Sequence, residues 1–312
     1  MRDAFVRALL REMESDDRVV LVTGDLGFGV LRPVKQRFGD RLINAGIAEQ
    51  SMVGLAAGLA KTGRKVVVYS IGNFPTLRPL EQIRNDCAYH GADVKVVCVG
   101  GGFVYGSLGM SHHATEDMAI MRAIPDVTCF TPGDPVETEA VVPVMFATKG
   151  TCYLRLGRGN EPMAHDAPIT DWEFPKAIRC REGKDIAILS AGGILYEVMG
   201  AAEKLHERGV EAEVISFPCL KPLDQEMVSE LCEKYRDIIT VEEHNIVGGF
   251  GSAVCEAAAE TGSGCRIHRI GLNDCFTTVV GNQQYLRQIY GMDGEAIAEK
   301  AMALVNEKRT DA

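Results

Sequence analysis

The stretch Arg41-Leu42-Ile43-Asn44-Ala45-Gly46-Ile47-Ala48-Glu49-Gln50-Ser51-Met52-Val53-Gly54-Leu55-Ala56-Ala57-Gly58-Leu59-Ala60 decides the fold. A short apolar run gives way at Gly46 to a long segment of small and apolar residues, which predicts the end of a strand, a tight turn and a buried helix. Glu49 is its one acid, and no charge follows it until Lys61. A carboxyl in the first turn of a helix is favoured by the helix dipole. In apolar surroundings it is also desolvated, which raises its pKa and suits it to sharing a proton with a bound base. An ordinary helix-start acid and a proton handle are both consistent with this local pattern.

Working outward, buried strands are predicted at Arg18 to Thr23, Lys65 to Ser70, Val94 to Val99, Val127 to Thr131 and Thr151 to Leu156, with helical segments between them. The first helix covers residues 1 to 13, another is expected from Ile71-Gly72-Asn73-Phe74-Pro75 to about His90, and Asp134 is the N-cap of a third. Alternation of this kind predicts a parallel sheet covered on both faces. Residues 166 to 184 lose periodicity and include Pro168, Trp172 and Pro175, as an interdomain linker would. A second alternation follows, so the expected organisation is two doubly wound α/β domains, 1–165 and 185–312.

Composition narrows the class. The chain has 312 residues, 46% hydrophobic and 24% charged, with a net charge of −10 and no basic block. That excludes an extended nucleic-acid surface, which needs clustered Lys and Arg. No apolar run reaches the roughly 20 residues of a membrane span. Charge at Arg2 and Asp3 argues against a targeting segment, so the expected compartment is the cytoplasm. Ten scattered cysteines without a Cys-x-x-Cys pair read as buried thiols rather than disulfides or metal ligands.

Two loops carry candidate chemistry. The run Gly100-Gly101-Gly102-Phe103-Val104-Tyr105-Gly106-Ser107-Leu108-Gly109-Met110-Ser111-His112-His113 is long and glycine-rich, the signature of a functional loop. Its adjacent histidines suit proton transfer near neutral pH. Gly157-Arg158-Gly159-Asn160 places a planar guanidinium after a strand, between two glycines. By contrast, Gly248-Gly249-Phe250-Gly251-Ser252 lacks the Lys-Ser/Thr ending of a phosphate loop and reads as packing.

Asn44-Ala45-Gly46-Ile47-Ala48-Glu49-Gln50 resembles the pyrimidine-binding domain of transketolase and related thiamine-diphosphate enzymes. The resemblance implies that Glu49 hydrogen-bonds the cofactor's aminopyrimidine and assists its proton movement. It further implies that Phe74 stacks on that ring, with Ile71 and Asp25 close to the cofactor. Ser111-His112-His113 is similar to the family's Thr-His-Gln or Thr-His-His segment, which gives His112 a role on the donor's oxygens and puts His113 beside the substrate. Arg158 matches an arginine that binds sugar phosphate, and Arg2 a second one. Val241-Glu242-Glu243-His244-Asn245 and the Gly-Gly turn resemble the family's C-terminal domain, whose role is structural and dimer-forming.

Departures qualify the match. Leu108 replaces an acid that reads sugar hydroxyls, Gly100 replaces a histidine, Gly29 a serine and Ile71 a second aromatic. The acceptor pocket is therefore expected to be less polar. The Gly-Asp-Gly motif that holds magnesium and diphosphate is absent, since Gly24-Asp25-Leu26, Gly39-Asp40-Arg41 and Gly133-Asp134-Pro135 all fail at the third position. The resemblance thus implies the C-terminal subunit of a split transketolase. A diphosphate-binding partner chain would hold the Mg2+, in an α2β2 heterotetramer acting on small sugars. The small residues Ala45, Gly46, Ala48, Gly54, Ala57 and Gly58 would allow close helix packing at that interface. The alternatives are a decarboxylating synthase of the deoxyxylulose-phosphate type, an oxoacid dehydrogenase β-type subunit, and a non-catalytic regulatory subunit.

Overall fold

The strands are β1 (Val19–Thr23), β2 (Leu42–Asn44), β3 (Lys65–Ile71), β4 (Val94–Val99), β5 (Thr128–Phe130), β6 (Cys152–Leu156), β7 (Ile178–Arg181), β8 (Ile186–Ala191), β9 (Ala212–Ser216), β10 (Cys219–Lys221), β11 (Asp237–Asn245) and β12 (Arg266–Leu272). This computed structural model describes residues 1–27 and 29–310. The strands form two sheets, ordered β10-β5-β6-β4-β3-β1-β2 and β12-β11-β8-β9-β7. All pairings in the first sheet are parallel except β10 with β5, and all in the second except β7 with β9. Two parallel-sheet α/β domains are therefore present, as the alternating pattern predicts.

Period-2 alternation explains how the first sheet is covered on both faces. Val20, Val22, Val66, Val68, Val94 and Val96 share a core with Met52, Val53, Ala56 and Ala57 of the helix Glu49–Lys61. Their neighbours Val19, Leu21, Val67 and Val97 point the other way, onto Phe5 and Leu9 of helix Arg2–Ser15 and Val141 and Met145 of helix Pro135–Ala147. Each fully buried valine contributes about 1.5–3 kcal/mol.

Some elements differ from the sequence reading. The helix Glu49–Lys61 is not buried all round: Leu55 is 40% exposed, and space is open around Gly54 and Gly58. The helix expected from Phe74 begins at Leu80, because Pro75 and Pro79 keep the intervening residues in turns. Its second part, Ile83–Ala88, is π-helical. The stretch read as linker contains β7, which binds the edge of the second sheet. Strand β10 leaves the second half of the chain to extend the first sheet, with Cys219 opposite Phe130. Both missed strands are short edge strands, for which periodicity gives little signal.

Candidate active site

Glu49, Phe74, the glycine-rich loop and Arg158 all follow the carboxyl ends of parallel strands, the edge where ligands bind in such sheets. At the end of β1, Asp25 adopts φ 56° and exchanges two hydrogen bonds with Asn44 at the end of β2. The Asn44 Oδ1 also accepts from Gly46 N at 3.0 Å. This clamp fixes the turn leading into the helix on which Glu49 is the first residue.

Glu49 is only 8% exposed. Its Oε1 accepts a 2.7 Å hydrogen bond from Arg78 Nη1, and the same guanidinium lies over Phe74, 3.9 Å from the ring centre. The His112 ring meets Phe74 edge-on, with centroids 5.3 Å apart and planes at 63°, and Ser111 Oγ lies 3.0 Å from His112 Nδ1. The fold thus brings Glu49, Phe74 and His112 into one cluster around Arg78, which sequence reasoning missed. Its position four residues after Phe74 and just before Pro79 was the available signal. Ile71 ends β3 and its carbonyl accepts from Phe74 N, so it shapes the turn that presents the ring.

Gly72 permits the loop to come close. Its φ is 49°, and a Cβ there would sit 3.0 Å from the His112 carbonyl oxygen. Asn73 Nδ2 donates to the His113 carbonyl at 2.5 Å, completing the seam. The His113 ring is differently employed from its neighbour's. Only 2% exposed, it has Nδ1 2.6 Å from Thr277 Oγ1 and Nε2 3.2 Å from the Gly106 carbonyl. Burial lowers its pKa, and with both nitrogens engaged it ties the loop to the second domain.

The loop is also gripped by the Glu-Glu-His segment of β11. Glu243 Oε1 accepts from Phe103 N at 2.6 Å and from Gln283 Nε2 at 2.8 Å, while Oε2 is paired with Arg287. Asn245 N donates to the Thr115 carbonyl. Glu242, pushed up to about 7 by burial, accepts from Phe250 N and Gly251 N. The helix Phe250–Thr261 therefore starts on a carboxylate of its own chain, as expected for a packing turn. His244 is buried, its Nδ1 2.6 Å from the Asn245 carbonyl. An acid pair inside an otherwise apolar strand was the sequence signal for this grip.

Arg158 and Arg2 gather at a second place. Arg158 lies 5.5 Å from the centre of the Tyr105 ring. Arg2, paired with Asp3 at 2.9 Å, places Nη2 3.2 Å from where a Cβ on Gly159 would sit. Tyr105 fills the space beside Gly100: a Cβ at Gly100 would lie 2.2 Å from its ring. Arg158 lines a cleft of about 230 Å³ between the domains, with Arg155, Gly192 and Tyr196 among its walls.

Two family models match in order: the transketolase pyrimidine-binding domain over residues 1–163 and the transketolase C-terminal domain over residues 175–297. A putative transketolase C-terminal section of Methanocaldococcus jannaschii is 36% identical over 97% of this chain and 95% of its own length. An apulose-4-phosphate transketolase subunit of Actinobacillus succinogenes is 35% identical over 92% of each chain. A solved split-gene transketolase, described as an inactive β4 tetramer, superposes with a TM-score of 0.87 at 30% identity, covering 98% of this chain and 97% of that one. With both halves matched in order and the likeness running end to end, the chain belongs to the transketolase family, as the pyrimidine-binding and C-terminal subunit of a split transketolase.

Proposed function

We propose that this chain works with a diphosphate-binding partner subunit to transfer a two-carbon ketol unit from a ketose to an aldose. The observation that carries the reading is the stacking of Arg78 on Phe74 while it donates to Glu49. A planar N–H donor stacked on one ring and donating to a carboxylate has the shape and polarity of an aminopyrimidine, so the residues present fit thiamine diphosphate. When bound, the cofactor supplies the carbanion chemistry of the transfer. Glu49 Oε1 holds the proton at the aminopyrimidine, Phe74 offers its face, and Asp25 steadies the adjoining turn through Asn44. His112, tethered at Nδ1 by Ser111 and braced by Phe74, orients donor hydroxyls and moves their protons. Arg158 and Arg2 bind the phosphate end of a phosphorylated sugar.

The partner completes the site from the open side of helix Glu49–Lys61. Ile47 there is 77% exposed, and Gly54 and Gly58 leave room for a second helix to approach closely. In this reading Mg2+ and the diphosphate are held by that partner, in an α2β2 assembly, which is supported by the lack of a Gly-Asp-Gly motif in this sequence. Among the described residues no helix is long and apolar enough to cross a membrane.

The test is binding of thiamine diphosphate with Mg2+ to this chain alone and after mixing with a chain that carries Gly-Asp-Gly, followed by ketol-transfer assays. Tight binding only in the mixture, with turnover of a ketose donor, supports the reading. Turnover of pyruvate instead would assign a decarboxylating synthase, and binding without turnover of either would assign a regulatory role.

A further inference from the structure

Where the two domains meet, three side chains of different chemistry converge. Helix Pro135–Ala147 starts with a reciprocal cap: Asp134 Oδ1 accepts from Glu137 N at 2.8 Å, and Glu137 Oε2 reaches back to Gly133 N at 2.6 Å. The cap uses one oxygen of Glu137. Its other oxygen, Oε1, belongs to a fully buried side chain and has no hydrogen-bond partner. It faces His165 Nε2 at 3.6 Å, and Cys180 Sγ approaches the same nitrogen at 3.7 Å. One donor atom from each of the three lies within 4.8 Å of the others.

A buried polar atom without a partner is costly, and one aimed at an imidazole and a thiol needs a cation or a proton between them. The spacing fits an ion. Bonds of about 2.3 Å to sulfur and about 2.0 Å to nitrogen and oxygen put tetrahedral ligands about 3.3–3.6 Å apart. The far side of the ring is already set, because Asp134 Oδ2 lies 3.1 Å from His165 Nδ1 and also accepts from His165 N and Ala164 N. A carboxylate behind a ligating histidine fixes the ring and turns Nε2 toward the metal. We propose that Glu137 Oε1, His165 Nε2 and Cys180 Sγ hold one zinc-class ion, with Asp134 as the orienting group behind His165.

The thiolate and imidazole select a borderline-soft metal, so this site is separate from any magnesium carried with the cofactor. Its ligands come from a helix of the first domain, the connecting segment and β7 of the second domain. Binding there would staple the domains at the point where the chain passes between them. The site also changes the reading of the cysteines, since Cys180 is a ligand rather than a buried bystander. Spacing along the sequence gave no sign of it, because each ligand comes from a different element.

The experiment strips the purified chain with a chelator and titrates it with Co2+ and with Zn2+. The expected result is one equivalent per chain, a thiolate-to-cobalt charge-transfer band, and a Zn2+-dependent rise in melting temperature. Cys180→Ser and His165→Gln should each lose the band and the rise while melting, metal-free, close to the metal-free wild type. Cys265→Ser, next to Cys232, should keep both signals. No uptake at micromolar free metal overturns the proposal. So does a band that survives Cys180→Ser or disappears in Cys265→Ser.

Discussion

Arg78 donates to the carboxylate of Glu49 at 2.7 Å while its own side chain stays half exposed. The arginine end of the pair therefore meets solvent while Glu49 is buried, and an ion pair open to solvent on one side is worth on the order of 1 kcal/mol. At the proposed cofactor site, an incoming aminopyrimidine would take the place of the guanidinium both at Glu49 and on Phe74. Arg78→Met should accordingly tighten thiamine diphosphate binding to the assembled enzyme, by up to about five-fold for a pair of that strength. Titration of cofactor fluorescence quenching reads this directly. Binding weakened tenfold would mean that Arg78 moves aside and contacts the cofactor itself.

Glu49→Gln preserves shape and removes the carboxyl proposed as the proton handle. Positioned acid–base groups contribute about 10²–10⁴-fold to rate, so kcat should fall by that factor in the assembled complex while the melting temperature stays near that of the parent. An unchanged kcat would remove Glu49 from the mechanism. Parallel loss of activity and melting temperature would assign it to folding alone.

Glu243 is the strongest point of attachment for the glycine-rich loop. Its two oxygens serve Phe103 N, Gln283 and Arg287, and Arg287 is itself only 7% exposed. Breaking one side of a buried pair leaves the other charge uncompensated, at about 3–5 kcal/mol. Glu243→Ala should show that loss in urea unfolding. Glu243→Gln retains an acceptor for Phe103 N and should lose less. If both variants unfolded like the parent, the loop would be held by its other contacts.

Gly100 tests the space that Tyr105 occupies. With φ at 96°, it is in a conformation that L-residues avoid, and its Cβ position lies within 2.2 Å of the Tyr105 ring. Gly100→Ala should cost about 1–3 kcal/mol from backbone strain alone. It should also expel the ring from beneath Arg158, raising KM for phosphorylated sugars more than for unphosphorylated ones. Pairing with Tyr105→Ala separates the effects: the double variant relieves the clash and retains only the strain. Equal KM changes for both sugar classes would detach Arg158 from phosphate recognition.

The alternation of strands and helices was legible because buried parallel strands are runs of Val, Ile and Leu, as in Val19–Thr23 and Val94–Val99. The places of Glu49, Phe74 and His112 after strand ends were legible because each is marked by glycine or proline nearby. Contacts that depend on tertiary meeting were not. The meeting of Arg78 with Phe74 and Glu49 exists only in the folded chain. His113 looked equivalent to His112, yet one further step along the chain carries its ring inward to Thr277, a residue 164 positions away. Edge strands β7 and β10 escaped because three or four residues are too few to establish a period.

His244 supplies a pH test of that buried segment. Burial lowers its pKa to about 4, with the Asp117 charge opposing and Arg155 reinforcing the shift. Nδ1 lies 2.6 Å from the Asn245 carbonyl and 3.6 Å from Glu242, and Nε2 lies 3.4 Å from Ala119 N, the pattern of a neutral ring that donates at Nδ1 and accepts at Nε2. A histidine with a depressed folded pKa favours the native state above its unfolded value of about 6.5 and loses that contribution as pH falls toward 4. Between pH 7 and pH 5 the native protein should lose about 2 kcal/mol through this group, because the unfolded chain takes up the proton first. His244→Gln removes the titration, so its unfolding free energy should fall less over the same interval, whatever its starting value. Equal losses in the two proteins would mean that His244 takes up its proton in the folded state over the same interval as in the unfolded chain, and NMR of the ring would then show a pKa near 6.5.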